Sequence, residues 1–136
     1  MNLDAVNQFI GTEWAYQSND CLAVFRRASL AVFGVDIPPV SLPDASDAEV
    51  NALLFDRHAG RREWHRVAEP VPGCAALFRD RSGRAAHIGL YVTEGNVLHC
   101  YGSPARPGRT SYDPLRMLRR VFGTVEFYTY APYNGR

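Results

Sequence analysis

The stretch Ala86-His87-Ile88-Gly89-Leu90-Tyr91-Val92, then Thr93-Glu94-Gly95, then Asn96-Val97-Leu98-His99-Cys100-Tyr101 decides how the rest of this chain is read. Two runs rich in apolar and β-branched residues flank a Glu-Gly pair, the pattern of a β-hairpin. Each arm carries one histidine. Their separation of twelve is even, so a hairpin of even register sum puts both on one face. A tight turn at Glu94-Gly95 instead sets His99 opposite Leu90, on the wrong face. A wider loop or a bulge is needed to bring the two rings close. The sequence leaves that register open.

Working outward, strand patterns surround the hairpin. Glu63–Ala68 reads as a strand, Pro70-Val71-Pro72-Gly73 as a turn, Ala75–Arg79 as a second strand and Arg81-Ser82-Gly83 as another turn. Downstream, Ser103–Gly108 reads as a surface loop, Leu115–Val121 as a short helical turn and Thr124–Ala131 as a last strand. The N-terminal half has the other period. Leu3, Val6, Phe9 and Ile10 fall at helical spacing before Gly11. Positions 21, 24, 25, 28, 31 and 32 form one apolar stripe between a cap at Asn19 or Asp20 and a stop at Gly34. Asp44–Arg57 returns to helix, with Ser46 and Glu49 at capping-box spacing. Helices first and an antiparallel sheet afterwards make an α+β fold, expected as a single domain over residues 1–136.

Composition narrows the function classes. An apolar fraction of 46% and a charged fraction of 21% are those of a globular chain. A formal charge of +1 gives no argument for nucleic acid or an anionic membrane. All 15 basic residues are Arg, which reads mainly as a GC-rich coding background; an Arg fork on a substrate carboxylate is the functional alternative. No apolar run approaches the roughly 20 residues that span a bilayer, so no membrane insertion is expected. Met1-Asn2-Leu3-Asp4 lacks the basic start and apolar run of a secretory signal. Synthesis in the cytoplasm without a signal peptide is therefore expected. Three cysteines at irregular spacing, Cys21, Cys74 and Cys100, read as reduced thiols.

Cys21, His87 and His99 are the candidate site. A thiolate nucleophile needs a base to deprotonate it and a third polar group to hold the base. A thiol at a helix N-terminus, preceded by Gln17-Ser18-Asn19-Asp20, sits near unpaired N–H groups that favour thiolate. The competing reading makes Cys21 a small buried residue on the helix stripe. Either histidine read alone is more often structural than catalytic, and two on adjacent strands with a cysteine in reach is a less common coincidence. Cys100 alternates to the face opposite His99, as a buried structural thiol. A metal site from Cys21, His87, His99 and His58 or His65 matches no compact zinc spacing.

Asp20-Cys21 opening an apolar helix, Pro72-Gly73-Cys74-Ala75-Ala76-Leu77-Phe78, His87-Ile88-Gly89-Leu90-Tyr91-Val92 and Val97-Leu98-His99 occur in an order that resembles the NlpC-type cell-wall cysteine peptidases, a papain-like family. The resemblance runs from about Gly11 to Tyr101. It implies N-terminal helices packed on an antiparallel sheet, Cys21 as nucleophile, His87 as base and later acid, and His99 as the orienter of His87. Tyr16, in Gly11…Trp14-Ala15-Tyr16, is similar to the family's Gly-x-x-Tyr lead-in and is implied to help build the oxyanion site. Leu22-Ala23 stand where the family often has Ser-Gly, and Cys74 where it has Asp. The implied substrate is a peptidoglycan stem peptide, cut at a D-glutamyl–diamino-acid bond with no cofactor.

The tail of the chain is similar to small peptidases of phage tails. That likeness implies tail proteins as partners and a virion tail acting on the periplasmic cell wall. Two other classes compete: a structural tail-tip component with little catalysis, and an injected toxin-like cell-wall amidase.

Overall fold

The computed structural model describes residues 1–16, 18–38 and 64–130. The helix expected over Asp44–Arg57 and the candidate ligand His58 lie outside the described residues. Leu3–Gln8 is a 3-10 helix rather than an α-helix; it buries Ala5 and Val6 and leaves Leu3 and Ile10 exposed. Helix α1 spans Cys21–Ala28, and Asp20 is its N-cap, accepting from the Ala23 N–H at 2.9 Å. The Asp carboxylate satisfies one of the orphan donors of the first turn. Ser29–Phe33 continues as a π-helical turn, and Gly34 ends it in the left-handed region at φ 72°. The wider turn brings Ser29 inside beside Ala28 and Val32 and leaves Ala31 half-buried, which shifts the apolar stripe read from a 3.6-residue period.

Six strands follow: β1 (Trp64–Val67), β2 (Ala75–Arg79), β3 (Ala85–Thr93), β4 (Asn96–Cys100), β5 (Thr110–Pro114) and, after helix α2 (Leu115–Phe122), β6 (Thr124–Tyr130). The sheet order is β1-β6-β2-β3-β4-β5, antiparallel at every pair. The α+β expectation therefore holds. Strand β5 was not among the expected elements. Its Ser111, Asp113 and Pro114 have weak strand propensity, and it forms as an edge strand by pairing along the whole of β4.

The two faces of the sheet are covered differently. On one, Cys21, Phe25 and Ala28 of α1 pack with Ala75, Leu77, Ile88, Leu90, Val92 and Leu98. Full burial of a side chain such as Phe25 is worth about 1.5–3 kcal/mol. On the other, Leu115 and Leu118 of α2 pack with Cys74, Ala76, Phe78, Val97 and Phe127. Strand β2, central in the sheet, feeds both cores by simple alternation. Cys100, the residue after His99, packs with Trp14 and Val24 on the α1 face, as expected for a structural thiol.

The hairpin register is decided by a bulge. Glu94 and Gly95 have φ of 54° and 81°, a two-residue turn with both central residues left-handed. Thr93 pairs with Asn96, but the next pair is Tyr91 with Val97, so one residue, Val92, is extra. The register sum becomes even, Leu90 faces Leu98, and His99 comes to lie across from Gly89.

Candidate active site

The bulge puts His87 and His99 on the same face as a diagonal pair, with His87 Nε2 2.9 Å from His99 Nδ1. Gly89 makes this approach feasible. A Cβ there would stand 2.5 Å from Val97 Cγ1 and 3.1 Å from the His99 Cβ. Strand β5 completes the arrangement: Ser111 pairs directly with His99, and Asp113 follows two residues later on the same face. His99 Nε2 lies 2.8 Å from Asp113 Oδ2 and 3.3 Å from Ser111 Oγ, and the Ser111 hydroxyl donates to Asp113 Oδ2 at 2.5 Å.

The proton positions follow from the acceptors. Burial acts to raise Asp113, but hydrogen bonds from Ser111 and His99 outweigh it and hold the carboxyl below its usual range. Burial lowers His99, against the opposing pull of Asp113. The contact is thus a neutral imidazole donating Nε2–H to a carboxylate. His99 Nδ1 is then a lone pair and accepts the Nε2–H of His87. That leaves His87 Nδ1 as a bare acceptor, buried and with no hydrogen-bond partner among the described residues.

Aromatic rings enclose His87. Phe78 stacks on it with centroids 5.8 Å apart, Phe122 of α2 lies at 4.6 Å and Tyr101 meets it edge-on at 5.2 Å. Its exposure is 1%. Burial, and then the neighbouring His99, lower its pKa well below the ordinary 6.5. It is a neutral base at physiological pH.

Cys21 sits on the other face. The Tyr91 N–H donates to the Cys74 carbonyl and its C=O accepts from the Gly73 N–H, on the side of β2, so by alternation those of Ile88 point toward β4. The β3–β4 ladder ends at Leu90–Leu98. Beyond that pair the Cys21 sulfur takes the Ile88 N–H, at the point where the two strands part. The nucleophile candidate is therefore held by the residue adjoining the base candidate. No hydrogen bond joins the sulfur to His87 Nδ1.

The expected exposed, thiolate-favouring helix end is corrected. Cys21 is only 5% exposed. Burial pushes its thiol up to about 12, and the charge of Asp20 adds to this against the Ile88 and Leu22 N–H groups. Desolvation outweighs the helix N-terminus because the first turn of α1 packs directly on the sheet.

Tyr16 lies in the turn before α1, 39% exposed, and its carbonyl accepts from the Ser18 N–H. His65 is on β1, two strands removed from β3. Among the described residues no group of three or more His, Cys, Asp or Glu is arranged to hold a metal ion. Asp113 and Ser111 were missed in the sequence. The one available signal was the spacing of two between them just before Pro114, a strand period in residues that otherwise read as loop.

No protein-family model matches this chain, and no curated protein matches it by sequence. Among solved structures it is similar to the NlpC/p60 domain of the peptidoglycan hydrolase SagA, with a TM-score of 0.53 and 19% identity over 93% of each chain. It is also similar to an NlpC/P60 endopeptidase from Photobacterium damselae subsp. piscicida, with a TM-score of 0.50 and 16% identity. That match covers 93% of this chain and 37% of the other. The fold is the papain-like α+β arrangement of NlpC/p60 domains.

Proposed function

We propose that this chain is a cysteine endopeptidase that hydrolyses peptidoglycan stem peptides. The observation that carries the reading is the bare His87 Nδ1 lone pair on the strand residue next to the Ile88 N–H that holds the Cys21 sulfur. A hydrolase of this type needs a thiol and a proton acceptor whose side chains come within reach of one another. The neighbours' own names, a peptidoglycan hydrolase and an endopeptidase, support the substrate class.

In this reading His87 Nδ1 takes the Cys21 proton as the sulfur attacks the amide carbonyl. The tetrahedral intermediate collapses to a thioester as His87 returns the proton to the leaving amine. Water, deprotonated by His87, then releases the acid and regenerates the thiol. Tyr16 and the Cys21 backbone N–H are assigned to the oxyanion, and the bond cut is a D-glutamyl–diamino-acid amide. The similarity of the chain's tail to phage-tail peptidases supports a virion-borne enzyme that meets the wall beside other tail proteins. The test is incubation with defined muropeptides and mass spectrometry, with Cys21→Ala alongside. Cleavage lost in the variant supports the enzyme; intact muropeptides with the folded wild type sink it.

One observation favours a second reading, a structural tail component with little catalysis: Cys21 is buried and its thiol is strongly disfavoured from ionising. Alkylation separates the two. A thiol that reacts with iodoacetamide in the native state fits the enzyme, and one modified only after unfolding fits the structural part.

A further inference from the structure

We propose that Asp113, assisted by Ser111, is a positioning residue for the histidine pair: it fixes His99 as the Nε2–H tautomer and so turns the His87 lone pair to Nδ1. The inference rests on the hydrolase reading for its consequence but on geometry for its substance. Asp113 Oδ2 stands 2.8 Å from His99 Nε2 and accepts the Ser111 hydroxyl as well. An anionic oxygen there can only accept, so the proton of a neutral His99 is placed on Nε2. His99 Nδ1 must then accept, and the 2.9 Å contact fills with the His87 Nε2–H. The chain Asp113–His99–His87 thus runs from a partly exposed carboxylate on an edge strand to a buried acceptor with no partner among the described residues.

The alternative wiring shows what the carboxylate does. With the His99 proton on Nδ1, His87 Nε2 would accept and its remaining proton would sit on Nδ1. Nδ1 would then carry an N–H, which cannot deprotonate a thiol. Asp113 hydrogen-bonds His99 and Ser111 and not the His87 Nδ1 atom, so its contribution passes through His99. At metal sites, removing the partner that fixes a ligating histidine's tautomer typically costs about 10–100-fold, and a loss of that order is expected here.

The decisive experiment is imidazole 15N NMR of the wild-type chain at pH 7, beside muropeptide kinetics of wild type, Cys21→Ala, Asp113→Asn and Ser111→Ala. The expected spectrum has protonated Nε2 and unprotonated Nδ1 on both His87 and His99. Asp113→Asn is expected to mix the His99 tautomers and lower kcat about 10–100-fold with KM nearly unchanged; Ser111→Ala is expected to do the same more weakly. A wild-type His99 found as the Nδ1–H tautomer or as imidazolium overturns the proposal without any variant. So does wild-type kcat in folded Asp113→Asn while Cys21→Ala is dead, an outcome that leaves the hydrolase reading standing. Wild-type inactivity on every muropeptide sinks the hydrolase reading instead, and the tautomer spectrum then decides the Asp113 assignment by itself.

Discussion

Two neighbouring residues of β3 face opposite ways: Ile88 toward α1 and Cys21, His87 toward α2 and the aromatic rings. Both sides are dry, yet dryness has opposite consequences. It suppresses the anion at Cys21, pushing the thiol up to about 12, and it suppresses the cation at His87, keeping the imidazole neutral. One face therefore keeps a proton on sulfur and the other keeps a lone pair on nitrogen, the donor and the acceptor that the proposed mechanism calls for.

The strongest way to break the comparison is to remove one member. Under the proposed mechanism Cys21→Ala and His87→Ala each cost at least about 10⁴-fold in hydrolysis, read by single-turnover assays on muropeptides. Because Cys21 is packed rather than exposed, Cys21→Ala also costs about 1 kcal/mol of stability by the apolar area it withdraws, measured by urea unfolding. An unchanged midpoint would show that the thiol is not part of the α1 core.

Gly89→Ala attacks the geometry between the two histidines. Its Cβ would land 2.5 Å from Val97 Cγ1, and overpacking of this kind costs about 1–3 kcal/mol. The variant is expected to unfold at lower urea and to lose the His87–His99 hydrogen bond in NMR. Phe122→Ala sharpens the electrostatic half. It opens the α2 side of His87, costs about 2–4 kcal/mol for a half-buried aromatic, and moves the His87 titration upward toward 6.5. A His87 titration that stays put would assign its shift to Phe78, Tyr101 and His99.

The smallest effects are the pH slopes, which come from opposite ends. His87 and His99 have lowered values when folded, so below about 6.5 the unfolded chain binds more protons. Their contribution is complete above that pH and is lost as pH falls toward the folded values. Cys21 is raised from 9.0 to about 12 and Cys74 from 9.0 to about 11. Their contribution is complete below 9.0 and is lost as pH rises through the folded values. Denaturation midpoints from pH 5 to 11 should therefore decline on both sides, and Cys21→Ala should flatten the alkaline side only.

Much of the fold was legible because alternation is a local property. Ala75–Arg79 was read with the bounds it has, and β3, β4 and β6 were read to within a residue or two at each end. The cap, read as Asn19 or Asp20 and found at Asp20, and the stop at Gly34 were also legible, because a capping side chain before an apolar stripe and a glycine after it act on their own turns. The π-helical turn was not, since a single widened turn leaves no mark on a stripe of small apolar residues. Strand β5 was hidden because Ser111, Asp113 and Pro114 have little strand propensity, and only pairing with β4 makes them one.

For the site the division is the same. The even spacing of His87 and His99, and a cysteine directly after a capping aspartate, were determined by the sequence, because side-chain period and capping depend on neighbours a few residues away. The tertiary structure alone decided that Val92 bulges, that Asp113 arrives beside His99, and that Cys21 is sealed against Ile88. Those three facts arise from strand pairing and desolvation between segments up to 67 residues apart (Cys21 to Ile88), where contact depends on which surfaces the folded core brings together.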